Sequence, residues 1–168
     1  MATGPRYSVP YKRKRMQKTN YGKRLKLVKG EIPRLVVRRS NKNILVQIIK
    51  FDINGDKTIT SVTSESLKKY GFLKPSKNMP SSYLTGYLIG KVSLQKKIKK
   101  CILDIGLNVS TKGNRLYAVA KGAIDAGMEV PCGKEVMPDE KRLKGEHIKG
   151  FDTSIIAAVK KSIDEKVK

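Results

Sequence analysis

Apolar residues come in short runs after Pro33, first within residues 34–39 and then within residues 44–53, where they occupy both faces apart from Gln47. The segment Arg-Leu-Val-Val-Arg-Arg is rich in β-branched residues, which favour a strand. Asn54-Gly55-Asp56 is typical of a tight hairpin turn between two strands. We therefore predict three antiparallel strands, over residues 34–39, 44–53 and 58–63, with turns at 40–43 and 54–56.

Further along the chain, apolar residues recur at three- and four-residue spacing, which predicts helices. The predicted elements are a short helix over 64–70, a long helix over 81–100, a strand over 102–105 and a helix over 114–126. Gly86 and Gly90 in the long helix indicate close packing. The order of elements predicts an α/β layer fold, a mixed sheet of three antiparallel strands plus a further strand.

The C-terminal part of the chain is predicted to be an extension, residues 131–168, that follows the core, residues 31–130. A short helical turn is expected at Pro138-Asp139-Glu140 and a last helix over 152–168. Ile156, Val159, Ile163 and Val167 form an apolar stripe on that helix. The stripe packs either on the same domain or on a neighbour in an assembly.

Charge narrows the possible partners. The chain contains 37 Lys and Arg against 14 Asp and Glu, a net charge of +23. Such a surface favours a polyanion, which leaves nucleic acid, an anionic membrane or another acidic surface. The chain has no apolar stretch of about 18 residues, so no membrane span is predicted. Its N-terminus lacks the apolar run of a secretory signal. A basic helix on a membrane surface needs Trp or Phe opposite its Lys face, but this chain has no Trp. We therefore expect no membrane partner and a cytoplasmic location.

The most basic segment is an N-terminal arm, residues 1–30, which has ten Lys and Arg and no acid. Tyr7, Tyr11 and Tyr21 are spaced between the charges. The arm cannot bury enough apolar surface to fold alone, so we expect it to be largely disordered in the free protein. Arginine pairs with phosphates and tyrosine stacks on unpaired bases, so an arm that orders on RNA is predicted in preference to a solvated tail.

The sequence contains few residues suited to a metal site or to a catalytic site. Cys101, Cys132 and His147 do not have the spacing of a zinc site, so no metal or cofactor is predicted. A metal-dependent nuclease needs paired carboxylates. Asp104 is the one acid in an apolar strand and has no evident companion, while Asp125 is expected to be solvated in its helix. The chain is predicted not to be an enzyme and to have no small-molecule substrate.

Besides the arm, two segments have the residue types of an RNA contact. The first is the turn from Arg38 to Asn43, whose Ser and Asn residues can bind phosphates or base edges or can simply form the turn. The second is Ser110 to Arg115, which precedes a helix whose N-terminal amides favour a phosphate. Helix capping alone also accounts for Ser110 and Thr111.

Several blocks of sequence resemble one family. Gly4-Pro5-Arg6-Tyr7, Lys18-Thr19-Asn20-Tyr21, Arg34-Leu-Val-Val-Arg38 and Leu103-Asp104-Ile105-Gly106 are similar to the archaeal form of family eighteen of the large-subunit ribosomal proteins, the universal 5S rRNA-binding family. Lys121-Gly122 through Gly127 and Gly145-Glu146-His147-Ile148 extend the resemblance to about residue 150. The last helix is expected to lie outside it.

The resemblance implies a ribonuclease-H-like βββαβα core without nuclease carboxylates. It implies binding to 5S rRNA, to large-subunit rRNA at the central protuberance and to neighbouring large-subunit ribosomal proteins. The RNA contacts that it implies are Arg6, Tyr7, Arg13, Arg15, Lys18, Thr19, Tyr21 and Arg24 in the arm, Arg38, Ser40, Asn41, Lys42 and Gln47 in the sheet, and Thr111, Lys112 and Arg115. The alternative is a basic protein that binds nucleic acid without sequence preference; both predict steep salt dependence, but only the first predicts selectivity for one RNA.

Overall fold

The computed structural model describes residues 4–167, so the first three residues of the predicted arm and Lys168 of the predicted last helix lie outside the described residues. The strands are β1 (Arg34–Arg39), β2 (Ile44–Lys50), β3 (Lys57–Thr63) and β4 (Ile102–Asp104). The α-helices are α1 (Lys12–Arg15), α2 (Tyr21–Val28), α3 (Met79–Gln95), α4 (Arg115–Asp125), α5 (Glu140–Lys144) and α6 (Ser154–Lys166). Two 3₁₀ helices span Ser64–Tyr70 and Lys134–Val136.

The four strands form one mixed sheet in the order β3-β2-β1-β4. β1, β2 and β3 pair antiparallel, and β4 lies parallel to β1 with Leu35 opposite Leu103. This arrangement confirms the predicted fold class. β2 ends at Lys50 rather than at Ile53, because Asp52 to Gly55 form the hairpin turn and leave the Ile53 side chain 92% exposed.

The two faces of the sheet have different surroundings. Leu35 and Val37 point into the core together with their partners Ile48 and Val46, and all four side chains are fully buried. Helices α3 and α4 cover this inner face. Arg34, Val36 and Arg38 alternate with these residues and therefore point to the outer face.

Close approach of two backbones joins α3 to α4. A Cβ atom added to Gly86 would overlap the Val119 carbonyl group, and one added to Gly122 would overlap the Tyr83 carbonyl oxygen. The structure thus confirms that the glycines of α3 permit close packing. α3 begins at Met79, two residues before the predicted start, because the Asn78 side chain accepts a hydrogen bond from the Ser81 amide at 2.9 Å.

The apolar stripe of α6 packs on the same domain, which answers the question that the sequence left open. Ile156, Val159 and Ile163 are buried against the core, and α6 contacts α3. The Tyr87 hydroxyl on α3 also donates to the Asp164 carboxylate, 3.0 Å from either oxygen.

Asp125 is not simply solvated, contrary to the sequence-based expectation. It accepts a hydrogen bond from the Tyr83 hydroxyl at 2.7 Å and forms an ion pair with Lys121 at 2.9 Å. Lys160 of α6 in turn donates to the Tyr83 oxygen at 2.5 Å. Burial raises the pKa of Tyr83 and lowers that of Lys160. Tyr83 on α3 thus links α6 to α4 through Lys160 and Asp125.

The arm contains two helices that were not predicted. Asn20 begins α2, because its side chain accepts a hydrogen bond from the Lys23 amide at 3.0 Å. Neither α1 nor α2 contains a buried residue, in keeping with the low apolar content of the arm. Among the described helices, none is long and apolar enough to cross a membrane.

Candidate nucleic-acid interface

The second arm helix is joined to the core by an ion pair. The Arg24 guanidinium on α2 lies 2.9 Å from the carboxylate of Asp56, which belongs to the β2–β3 hairpin. Asp56 also accepts from Arg34 at 2.8 Å. Arg34 lies at the start of β1 and its side chain is only 4% exposed. The arm therefore lies against the outer face of the sheet rather than away from the core.

Asp104 continues this series of charges. It lies 3.0 Å from Arg34 and 3.1 Å from Arg38, and its carboxylate also accepts from the Gly106 amide at 2.8 Å. Its ion-pair partners are thus two arginines, which the sequence did not predict, and not a second carboxylate. Because β4 is parallel to β1, Asp104 lies beside Val36, between the two arginines. Five groups, Arg24, Asp56, Arg34, Asp104 and Arg38, thus alternate in charge across the outer face.

Between the arm and this face is a cavity of about 450 Å³, which we call the arm groove. Asp104 is the one acid among the described residues that line it, and its carboxylate is occupied by arginines. The groove is therefore strongly cationic, as a phosphodiester strand requires. Its basic lining residues are Arg13, Lys18, Lys23, Arg24 and Lys26 from the arm and Arg34 and Arg38 from β1.

Half of the eight predicted arm contacts line this groove: Arg13, Lys18, Thr19 and Arg24. Arg13 donates to the Thr19 hydroxyl at 2.9 Å, which orients both residues at its mouth. The Tyr21 ring lies 5.3 Å from that of Tyr11. The remaining predicted arm contacts, Arg6, Tyr7 and Arg15, lie on the exposed surface.

The predicted contacts in the β1–β2 turn divide into two kinds. Ser40 closes the turn, since its hydroxyl donates to the Asn43 carbonyl and accepts from the Asn43 amide, both at 2.9 Å. Asn41 and Lys42 at the tip are exposed and available to a partner. Gln47 lies on β2, where it donates to Ser61 at 3.3 Å.

The third predicted group lies in the loop before α4. Asn114 is the residue before the first turn of α4, and its side-chain amide donates to Thr111 at 3.1 Å. Arg115 donates to the Lys77 carbonyl at 2.7 Å. Thr111 and Lys112 are exposed. Neither Ser110 nor Thr111 is therefore the residue at the helix cap.

Two polar residues outside the predicted set link these segments. Arg39 in β1 donates to the Asn108 side chain at 3.0 Å, which places the β1–β2 turn next to the β4–α4 loop.

Two further cations outside the predicted set, Lys23 and Lys26, line the arm groove. The charge of Lys23 and Lys26 was visible in the sequence, but their common orientation follows from α2, which the sequence analysis did not predict.

The described residues contain no group of three or more His, Cys, Asp or Glu side chains that could hold a metal ion. Burial raises the pKa of the Cys101 thiol to about 11. The Cys101 side chain is fully buried in the core.

Comparison with known proteins identifies what this surface belongs to. A family model described as ribosomal large subunit proteins 60S L5 and 50S L18 matches residues 5–100 and 93–133. The large ribosomal subunit protein uL18 of Methanoregula boonei is 43% identical over 173 residues, covering 97% of this chain and 99% of the relative. That of Haloferax volcanii is 49% identical over 148 residues, covering 88% and 80%. The coverage in Methanoregula boonei corrects the expectation that the similarity ends near residue 150.

Proposed function

This chain belongs to the family of ribosomal large subunit proteins 60S L5 and 50S L18, and from that membership we propose that it binds 5S rRNA. Proteins of this family are structural components of the large ribosomal subunit in the cytoplasm, and the chain is not an enzyme. Its role is to help anchor 5S rRNA to large-subunit rRNA at the central protuberance, beside neighbouring large-subunit ribosomal proteins.

The arm groove is the observation that supports this proposal most directly. Seven cationic side chains line it, and its one described acid is neutralised by two arginines. A phosphodiester strand in the groove would release counterions from the RNA and so gain affinity. Exposed amide and cationic groups at Asn41 and Lys42 provide contacts to base edges and phosphates nearby.

The C-terminal extension has a different charge and favours a different neighbour. Residues 131–168 contain nine Lys and Arg against seven Asp and Glu, whereas the arm has ten and none. An almost neutral surface gains little from phosphate contacts. This part of the chain is therefore the one that we assign to contacts with neighbouring ribosomal proteins.

A filter-binding titration against 5S rRNA, with excess tRNA as competitor and at two salt concentrations, tests the proposal. We expect binding to 5S rRNA to persist in the presence of tRNA at the higher salt concentration. Affinity that tRNA and salt abolish equally would instead support a protein that binds nucleic acid without sequence preference, since the charge of +23 alone would then account for binding.

A further inference from the structure

Asp56 is an acid on a surface that we assign to RNA. A carboxylate beside a phosphate is repelled, so simple electrostatics predicts that its removal strengthens RNA binding. Asp56 nevertheless contacts two cations, Arg24 at 2.9 Å and Arg34 at 2.8 Å. Its position among arginines indicates a role that outweighs the repulsion.

That role follows from how weakly the rest of α2 is held. The helix has no buried residue, and Leu25 is 69% exposed. Between the described part of the arm and residues 31–167, the ion pair of Arg24 with Asp56 is the one side-chain polar link. Apart from that ion pair, the apolar residues Leu27 and Val28 of α2 are only partly buried.

We propose that Asp56 is a positioning residue for RNA, which fixes α2 against the core so that the arm groove receives one sugar-phosphate strand. This inference rests on the proposed function. The cavity of about 450 Å³ has the size of a site for a small molecule, about 300–1,000 Å³, so it accommodates a nucleotide unit and not a duplex. Fixing the helix in advance lowers the conformational entropy that RNA binding must remove.

The arm groove depends on this attachment because its basic residues come from two separate parts of the chain. Lys23 and Lys26 lie on α2, whereas Arg38 lies on β1. If α2 left the outer face, the two sets of cations would no longer face one strand. On the core side of the groove, Asp104 positions Arg38 in the same way, because its carboxylate lies 3.1 Å from the Arg38 guanidinium.

The test compares two variants of the full chain with the same change in charge, Asp56→Asn and Asp52→Asn. Asp52 lies in the same hairpin but pairs with Lys57 and not with the arm. We expect Asp56→Asn to weaken RNA binding by about tenfold or more, the size of a charge-assisted hydrogen bond. Asp52→Asn should bind as tightly as the unaltered protein or slightly more tightly, because it removes a repulsion and only a pair with the exposed Lys57.

Salt dependence distinguishes positioning from a loss of folded protein. Asp56→Asn should lower the slope of log affinity against log salt by about one or more, because α2 loses phosphate contacts although the net charge rises. Partial unfolding would lower the active fraction and leave that slope unchanged. Asp56→Asn that binds RNA as tightly as Asp52→Asn, with the same slope, would overturn the proposal.

Amide hydrogen exchange in the RNA-free protein provides an independent readout. Asp56→Asn should accelerate exchange at the Arg24 and Lys29 amides, which donate to Asn20 and Leu25, and leave β1 unchanged. Equal exchange of α2 in both variants contradicts the inference. All measurements are made with both 5S rRNA and tRNA: equal affinity of the unaltered protein for both refutes the proposed function, whereas the ratio between the variants still decides the role of Asp56.

Discussion

The carboxylate of Asp104 lies 3.0 Å from the Arg34 guanidinium, and both side chains are almost fully withdrawn from water, at 7% and 4% exposure. A buried charge that loses its partner keeps its desolvation cost without the compensating attraction. We therefore expect Asp104→Ala to lower the free energy of unfolding by about 3 kcal/mol, since Arg34 retains only Asp56. Urea denaturation followed by circular dichroism measures this change.

Glu65→Ala is the matched control for that prediction. Glu65 pairs with Lys68 at 3.2 Å, but both side chains are 59% exposed. An exposed pair contributes about 1 kcal/mol or less. A loss for Asp104→Ala no greater than that for Glu65→Ala would show that burial of the Arg34–Asp104 pair has no special effect on stability.

The sequence predicted the sheet well, because the β-branched run within residues 34–39 and the hairpin at Asn54-Gly55 are local signals. It did not predict the partners of Asp104. Arg34 is seventy residues away in the chain, and the two meet only because β4 lies parallel to β1. Long-range pairing of this kind leaves no periodic pattern in a single sequence.

The arm shows a different limit of sequence reasoning. Its high charge and low apolar content predict disorder in the free protein. A local signal was nevertheless present, since Asn20 is a favourable residue at a helix N-terminus. The contact of Arg24 with Asp56 could not be predicted, because any of the ten Lys and Arg residues of the arm was an equally plausible partner for the hairpin.

Gly122→Ala tests the close packing of α4 on α3. The added methyl group would overlap the Tyr83 carbonyl oxygen, which is backbone and cannot move without displacing α3. We expect a loss of about 1–3 kcal/mol or more in the free energy of unfolding. Gly133→Ala is the control, because a Cβ atom there meets no neighbour within 4 Å. Equal thermal midpoints for the two variants would contradict the prediction.

The attachment of α6 should depend on pH through Asp164. Its hydrogen bond from Lys91, followed by that from Tyr87, holds its pKa below the ordinary value of 3.8. A carboxylate with a lowered pKa stabilises the folded state above its unfolded pKa, and this contribution is lost as pH falls through the folded pKa. The unaltered protein should therefore exceed Asp164→Asn in stability at pH 7 and lose that advantage below about pH 4.

Because Asp164 is 44% exposed, the difference at pH 7 should be about 1 kcal/mol or less. Thermal unfolding at a series of pH values measures it, with Glu165→Gln as the control for the loss of one neighbouring exposed charge on α6. A difference between the unaltered protein and Asp164→Asn that stays constant from pH 7 to pH 3 would rule out the ionised carboxylate as its source.

Lys42 and Asn41 are adjacent and exposed at the tip of the β1–β2 turn, so they separate the two kinds of RNA contact. Lys42→Ala should weaken binding to 5S rRNA and tRNA alike and reduce the salt slope by about one, as expected for one lost phosphate contact. Asn41→Ala should leave the slope unchanged and reduce the preference for 5S rRNA, because an amide contacts base edges.

Lys161→Ala removes the same charge from α6, on the extension that we assign to protein contacts, and should leave RNA affinity nearly unchanged. The comparison therefore tests where the RNA lies as well as how it is held. If Lys161→Ala weakened RNA binding as much as Lys42→Ala, the RNA would respond to total charge alone. An unchanged preference for 5S rRNA in Asn41→Ala would remove this turn from the recognition surface and leave selectivity to the arm groove.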